Sequence, residues 1–225
     1  MVPRILIATA PVPGGGELRL VRRGEEFSIL LGAAELMNSR RAGSEEALAS
    51  LACAALAGRA KPRVLIGGLG MGFTLRAALG ALPAAAEVVV AELVPEVVEW
   101  ARGPLAQIAG GALADPRVRI LVTDVATRIG AGAGDWDAIL LDVDNGPDGL
   151  TMEANDRLYS AEGLAATRRA LALEGVLAIW SAHPDGAFAG RLRRAGFAVQ
   201  EHAARSGGSR GARHVIWIAR RPASG

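Results

Sequence analysis

Residues 63–72 read Arg-Val-Leu-Ile-Gly-Gly-Leu-Gly-Met-Gly, and this stretch decides the fold of the chain. The first four residues are typical of a β-strand, the glycines predict a sharp turn, and an apolar helical pattern begins at Phe73. Because glycine has no Cβ, a ligand can lie against the backbone of such a turn, and the following helix points unpaired N–H groups at it. The stretch therefore predicts the first unit of a nucleotide-binding α/β sheet.

The spacing of the glycines indicates the kind of nucleotide. A dinucleotide fingerprint is G-x-G-x-x-G, whereas the glycines here are Gly68, Gly70 and Gly72, and Phe73 takes the place of the last dehydrogenase glycine. The G-x-G-x-G pattern is typical of nucleoside cofactors without a pyrophosphate, chiefly S-adenosylmethionine (AdoMet). Glycine-rich turns between strands and helices also occur for packing reasons, so that alternative stays open.

A second buried strand, Glu87–Leu93, ends in a carboxylate. Glu92 lies 20 residues beyond Gly72, where an acidic side chain can accept hydrogen bonds from both hydroxyls of a ribose. The alternative interpretation of Glu92 is a solvated strand end.

Length and composition exclude several classes of protein. The 225 residues suit one α/β domain with a small addition, and the net charge of +2 is too small to predict a nucleic-acid partner. A single cysteine, Cys53, excludes a disulfide within the chain, and the histidines and acids show no metal-ligand spacing. No apolar run reaches membrane-spanning length and the N-terminus is a poor signal peptide, so we expect a cytoplasmic protein without a membrane partner.

The first 43 residues differ from the rest and predict a small N-terminal β-hairpin segment. Glu17–Arg22 and Glu26–Leu31 alternate apolar and polar residues across a turn, and Ile5–Ala8 can add a strand. This segment is too small for a core of its own, so it should pack on the main domain or on a second subunit. Ser44 is the predicted N-cap of the alanine-rich helix that follows.

Residues 44–225 are predicted to form the main, AdoMet-binding domain, in which strands and helices alternate. A helix over Ser160–Leu173 is expected to end at the turn Glu174-Gly175. Seven strands, of which the last two form a hairpin, predict a Rossmann-like class I methyltransferase fold: a mostly parallel sheet with helices on both faces. Beyond the two strands above, the predicted strands are Val118–Val122, Trp136–Asp142, Val176–Trp180, Phe197–Glu201 and His214–Ala219.

In an open parallel sheet the ligand lies over the carboxyl ends of the strands, so residues just past those ends are candidates. Asp124 either caps the next helix or accepts the adenine amino hydrogen. His183 either lines the acceptor pocket or is a surface residue, and Tyr159 either covers the site or packs in the core. The predicted cofactor-binding residues are Gly67, Gly68, Gly70, Gly72, Glu92, Leu93, Asp124, Val125 and Asp142.

Several segments resemble the spermidine synthase family, whose fourth-strand motif is an Asp, a few residues, a second Asp and Gly-Pro. The resemblance implies that Asp142 helps to deprotonate an attacking amine and that Asp144 holds the amine substrate. It also implies that the glycines, Glu92 and Asp124 hold the adenosyl part. The segments that carry it are Val64–Gly72, Val89–Ala101, Asp115–Asp124, Asp137–Pro147, Leu158-Tyr159 and Leu173–Ala178.

The chain also departs from that family. The synthases carry an Asp within the glycine turn, where this chain has Gly70, and they use decarboxylated AdoMet. An Asp within about 4 Å of the carboxylate of intact AdoMet would repel it by about 4 kcal/mol at an effective dielectric constant of about 20. Gly70 has no such charge, so the turn of this chain does not select against intact AdoMet. Asn145 stands where the family has proline, Glu35 where it has an N-terminal Gln, and Ser44-Glu45-Glu46 where it has Tyr-Gln/His-Glu.

These observations predict an AdoMet-dependent transferase, with methyl transfer to a small amine or hydroxyl compound as the main hypothesis. The catalytic residues would be Asp142 and Asp144, and the substrate-binding residues Glu35, Asp144, Asn145, Tyr159 and His183. One alternative is a polyamine aminopropyltransferase that uses decarboxylated AdoMet, and another is a nucleoside-binding module without catalysis. By analogy with the family, a homodimer is expected.

Overall fold

The N-terminal segment forms a four-stranded antiparallel sheet in which neighbours in sequence are neighbours in space. The computed structural model describes residues 2–143, 157–207 and 211–223. The predicted hairpin is confirmed, and the strand expected near Ile5–Ala8 extends it on one side. The fourth strand was not predicted, because its short sequence lacks alternation and it is held by pairing with the third. The strands are β1 (Ile5–Pro11), β2 (Glu17–Arg23), β3 (Glu26–Leu31) and β4 (Ala34–Asn38).

The main sheet has seven strands, and the predicted Rossmann-like class I methyltransferase fold is confirmed. Its strands are β5 (Arg63–Gly67), β6 (Glu87–Glu92), β7 (Val118–Val122), β8 (Trp136–Leu141), β9 (Leu171–Ser181), β10 (Ala198–Arg205) and β11 (Arg213–Arg220). They lie in the order β10-β11-β9-β8-β5-β6-β7. The five strands from β5 to β9 run parallel, and β11 inserts antiparallel between β9 and β10. The order reverses between β5 and β8, where such sheets bind ligands.

Helices cover both faces of this sheet. They are α1 (Gly43–Ala54), α2 (Phe73–Ala81), α3 (Pro95–Arg102), α4 (Ala106–Ala109), α5 (Val125–Gly130), α6 (Ala161–Ala170) and α7 (Gly186–Arg194). One core cluster joins α1, α2 and α3 to apolar residues of the N-terminal sheet, and a second lies under α5, α6 and α7. The N-terminal sheet therefore packs on the main domain. The division into two domains at residues 43 and 44 stays a prediction.

Two local predictions were wrong. The helix expected to reach Leu173 ends at Ala170, and β9 begins at once, because Glu174-Gly175 forms a bulge within an 11-residue strand instead of a turn before it. Glu174 has a φ of 59° at this bulge. Ser44 is not the N-cap of α1, since Ala42 takes that position and its side chain makes no capping hydrogen bond.

Within residues 2–143, 157–207 and 211–223, no helix has the length and the apolar character that a bilayer crossing requires.

Candidate active site

A crevice opens over the carboxyl ends of β5, β6, β7 and β8 and is closed on one side by the N-terminal sheet. It encloses about 1070 Å³, including its open mouth. Of the predicted cofactor-binding residues, the structure brings together Gly68, Gly70, Glu92, Leu93, Asp124, Val125 and Asp142 along its walls. Its apolar cover comes from the N-terminal sheet, chiefly Leu18, Ile29, Leu36 and Met37.

The glycine turn lies so close to the backbone of Asp142 that a side chain is excluded at Gly68, and a side chain at Gly70 would require Met37 to move. Gly68 has a φ of +87°, and a Cβ there would lie 2.4 Å from the backbone oxygen of Asp142. Gly70 has a φ of +50°, and a Cβ there would lie 2.7 Å from the Cε of Met37. Met37 also accepts a hydrogen bond at its Sδ from the backbone N–H of Met71, at 3.1 Å. A residue of the N-terminal sheet thus caps the turn.

Glu92, at the end of β6, accepts hydrogen bonds from the backbone of the glycine turn and of the loop after β6. Its Oε2 accepts a hydrogen bond from the backbone N–H of Leu69 at 2.8 Å, and its Oε1 accepts one from Val94 at 2.9 Å. Burial raises the pKa of this carboxyl, and the backbone hydrogen bonds oppose that rise. Each carboxylate oxygen can accept a further hydrogen bond, so Glu92 retains capacity for a ribose.

Asp124 follows β7 and caps α5, as one of the two interpretations expected. Its side chain accepts a hydrogen bond from the backbone N–H of Ala126 at 2.7 Å and contacts the guanidinium of Arg157. The side chain also lines the crevice, so contact with an adenine amino group stays a prediction.

Asp142 lies at the other end of the crevice, just beyond β8. Its Oδ2 accepts a hydrogen bond from the hydroxyl of buried Thr74 at 2.5 Å. Burial raises the pKa of Asp142 to about 7, the charge of Glu45 adds to the rise, and the Thr74 hydrogen bond opposes it. Burial likewise raises the pKa of Glu45, which is 7% exposed and projects from the first turn of α1. Two carboxyl groups therefore face the same volume.

A second chamber of about 650 Å³, including its open mouth, adjoins Glu45. The two spaces share Leu36, Met37, Glu45 and Trp180 as walls. Glu35 lines the second chamber and lies 3.8 Å from the guanidinium of Arg4, so its predicted substrate-binding role stays a prediction. The crevice and the second chamber therefore meet at Glu45, which lines both.

Comparison with known proteins shows similarity to polyamine aminopropyltransferases. No protein-family model matches it. The polyamine aminopropyltransferase of Mycobacterium tuberculosis (strain H37Rv) is 29% identical over 192 residues, which are 81% of this chain and 35% of that protein. The polyamine aminopropyltransferase of Pyrobaculum calidifontis is 37% identical over 134 residues, which are 57% of this chain and 44% of that protein. The chain thus spans less than half the length of these curated relatives.

Solved structures of spermidine synthases share the fold of this chain. A spermidine synthase from Thermotoga maritima superposes with a TM-score of 0.77 at 20% identity, covering 97% of this chain and 74% of that one. A spermidine synthase in complex with the transition state analogue AdoDATO gives 0.76 at 20% identity, with 97% and 73% covered. The chain is spermidine synthase-like. The resemblance inferred from the sequence is confirmed, and the structural likeness shows that the fold is shared.

Some predicted residues of this spermidine synthase-like chain lie away from both spaces. Gly67 packs under Val125, and Gly72 is the N-cap of α2. Tyr159 is 2% exposed and packs edge-on against Phe188, so its position favours the core interpretation over the lid. His183 is exposed and lies outside the walls of both chambers. The predictions for Asp144 and Asn145 fall outside the described residues.

Three residues in the site were not predicted to act there. Glu45 had been noted only as a departure from the family motif before the first helix, although that place in the motif was a signal that could have identified it. Thr74 gave no signal, since a threonine in the first turn of a helix is ordinary. Met37 gave none either, because the contact with Gly70 joins residues that are far apart in the sequence.

Proposed function

We propose that this chain transfers an aminopropyl group from decarboxylated AdoMet to a small amine. The observation that carries the proposal is the charge of the crevice. Among its described lining residues are four carboxyl groups and no Lys, Arg or His; the acids are Glu45, Glu92, Asp124 and Asp142. Decarboxylated AdoMet carries a sulfonium and an ammonium group and no carboxylate, so it complements these acids.

Intact AdoMet fits this charge pattern less well. Its carboxylate would approach Glu45 and Asp142, and two like charges about 4 Å apart repel by about 4 kcal/mol at an effective dielectric constant of about 20. The sequence favoured methyl transfer because residues 67–73 contain no acid. Glu45, which comes from a different element, places a carboxyl group at the reactive end instead. The relatives named polyamine aminopropyltransferase also support this alternative better than methyl transfer.

Asp142 is suited to act as the general base. Its pKa of about 7 lets it accept a proton near neutral pH, and Thr74 fixes the orientation of its carboxyl group. The amine would lose a proton to Asp142 while its nitrogen bonds to the aminopropyl carbon. The bond from that carbon to sulfur breaks, and its electron pair stays on sulfur to give neutral 5′-methylthioadenosine. Glu45 would hold the positive charge of the aminopropyl ammonium group.

Calorimetry of the two cofactors tests this proposal. We expect decarboxylated AdoMet to bind about a hundredfold more tightly than AdoMet at pH 8, because this pH lies above the pKa of Asp142, about 7, and the acids of the crevice repel the carboxylate that only AdoMet carries. Mixing with diamines of three to five carbons should yield 5′-methylthioadenosine, measured by chromatography. Tighter binding of intact AdoMet, together with methylation of an amine, would replace aminopropyl transfer by the second candidate, which the acid-free glycine turn favours.

Homodimer formation stays a prediction, and β1 is where we expect it. This strand lies at the edge of the N-terminal sheet, and Ile5 and Leu6 are 48% and 57% exposed on it. An exposed apolar edge strand is a template for pairing with another chain. Sedimentation velocity should therefore show a dimer that Leu6→Glu weakens at least about tenfold. A wild-type chain that stays monomeric at about 100 μM, well above the dissociation constant of a stable dimer, contradicts this.

A further inference from the structure

The four residues that line both the crevice and the second chamber form a junction between the two spaces. They are Leu36, Met37, Glu45 and Trp180. Glu45 is the one charged member, and the other three contribute an aliphatic side chain, a thioether and an aromatic ring. A carboxylate among apolar side chains is costly unless a cation pairs with it. The junction therefore has the composition of a site for a positively charged group that carries carbon substituents.

The carboxyl group of Glu45 has no positively charged partner among the residues that the structure describes. Glu45 is 7% exposed, and the hydroxyl of Ser44 donates a hydrogen bond to it at 2.6 Å. The ion pairs of residues 2–143, 157–207 and 211–223 do not include it, whereas its neighbour Glu46 pairs with Arg76 at 2.9 Å. A cation supplied by a ligand would stabilise this buried carboxylate.

Trp180 offers the junction its ring carbons and not its N–H group. The indole Nε1 is buried, so the exposed 8% of the residue belongs to other atoms. The backbone of Trp180 lies inside β9, where it pairs with Ile216 of β11, so we assign the exposed surface to the ring. The imidazole of His214 packs against the indole at 4.9 Å and 31° and fixes its orientation.

The ring of Trp180 also lacks a cation, in contrast to other aromatic rings of the chain. The guanidinium groups of Arg63 and Arg128 lie 5.2 Å and 5.1 Å from the ring centroid of Trp136. Over Trp180, the described part of the chain places no such group. The face of an indole attracts cations more strongly than that of any other side chain. A carboxylate and an aromatic ring thus line one junction, and neither has a cation of the protein beside it.

We propose that the carboxylate of Glu45 and the ring of Trp180 form a cation cage, which binds an alkyl-substituted cation of the donor. The inference rests on the proposed use of decarboxylated AdoMet, and it adds Trp180 to the residues that bind this donor. Decarboxylated AdoMet offers two such groups, a sulfonium and an ammonium at the end of the aminopropyl chain. Ligands that carry one, both or neither of them distinguish the two sources.

Three ligands provide this series. Decarboxylated AdoMet carries both charges, 5′-deoxy-5′-dimethylsulfonioadenosine carries the sulfonium alone, and 5′-methylthioadenosine carries neither. Calorimetry measures the Kd of each for the wild-type chain and for Trp180→Leu. We expect this substitution to weaken decarboxylated AdoMet about tenfold and 5′-methylthioadenosine less than about twofold, because leucine keeps the wall apolar but has no aromatic face. An unchanged Kd of the dimethylsulfonium compound assigns the cage to the ammonium, and an equal loss assigns it to the sulfonium.

Two further variants make the test specific. Trp180→Phe keeps a ring that attracts cations less strongly, so it should weaken decarboxylated AdoMet about threefold, and it serves also if the leucine variant does not fold. Trp100→Leu is the matched control, because Trp100 is 4% exposed in the same core cluster as Trp180 but is not among the described walls of either space. It should leave all three affinities unchanged.

The remaining outcomes separate this inference from the proposed function. If Trp180→Leu weakens the neutral ligand as much as the charged ones, or weakens none of them, the cation cage is overturned. A selective loss of the charged ligands, in a chain that forms no aminopropyl product from any amine, supports the cage and removes the proposed transfer. Product formation without that selective loss supports the transfer and overturns the cage. A wild-type chain that binds none of the three ligands overturns both.

Discussion

Replacing Asp142 by Asn is expected to lower kcat of aminopropyl transfer by about a thousandfold, since general bases typically contribute 10²–10⁴-fold. Asparagine has nearly the same shape and can still accept the hydrogen bond from Thr74, but it cannot take a proton from the amine. The binding of decarboxylated AdoMet should weaken much less, because Glu45 remains. Single-turnover kinetics with saturating donor and acceptor measures the loss.

The same substitution should stabilise the empty protein at alkaline pH. The pKa of Asp142 is about 7 in the folded chain against an ordinary value of 3.8, so the folded state binds this proton more tightly. The contribution of this carboxyl group to the free energy of unfolding is therefore fully present below pH 3.8 and is lost as the pH rises from there through about 7. Asp142→Asn removes that loss, and we expect an unfolding free energy about 4 kcal/mol above wild type at pH 8 and no gain near pH 4.

Asp135→Asn is the matched control for both measurements. Asp135 precedes β8, at the opposite end from Asp142, and its carboxylate lies 3.8 Å from Arg63 on the surface. Exposed ion pairs contribute about 0–1 kcal/mol, so neither kcat nor the pH dependence of stability should change much. If Asp142→Asn left turnover intact while decarboxylated AdoMet still bound, Asp142 would not be the base.

The sequence was informative wherever a ligand site is built from neighbours along the chain. The turn from Gly68 to Gly72 follows from chain geometry alone, because a strand that reverses into a helix so sharply needs residues without a Cβ. The acid at the end of β6 follows from the period of the βα units. The order of the strands could be predicted because a final hairpin after five alternating units matches one known sheet.

The electrostatics of the reactive end could not be predicted in the same way. Glu45 and Asp142 are separated by almost a hundred residues, and the packing of α1 against α2, β8 and β9 brings their charges together. The glycine turn by itself therefore suggested a site without an acid and, from that, intact AdoMet. The sequence and the structure therefore favour different donors where charges from distant elements combine.

Glu45→Gln should weaken the discrimination between the two cofactors by about tenfold, because it removes one of the two acids that repel the carboxylate of AdoMet, while Asp142 remains. The hydroxyl of Ser44 donates a hydrogen bond to Glu45 at 2.6 Å, and the amide oxygen of glutamine can accept it, so the fold should persist. The variant should also lower the pKa of Asp142, since the charge of Glu45 helps to raise it.

Two measurements follow from these effects: calorimetry of decarboxylated AdoMet and AdoMet, and the acid limb of the pH profile of kcat/KM, which should move to lower pH. Glu46→Gln is the control one residue further along α1, where the side chain is 45% exposed and pairs with Arg76 at 2.9 Å outside the crevice. An unchanged ratio of the two affinities in Glu45→Gln would mean that the carboxylate of AdoMet does not approach Glu45. The acid-free glycine turn would then outweigh α1 in choosing the cofactor, and methyl transfer would again be the better hypothesis.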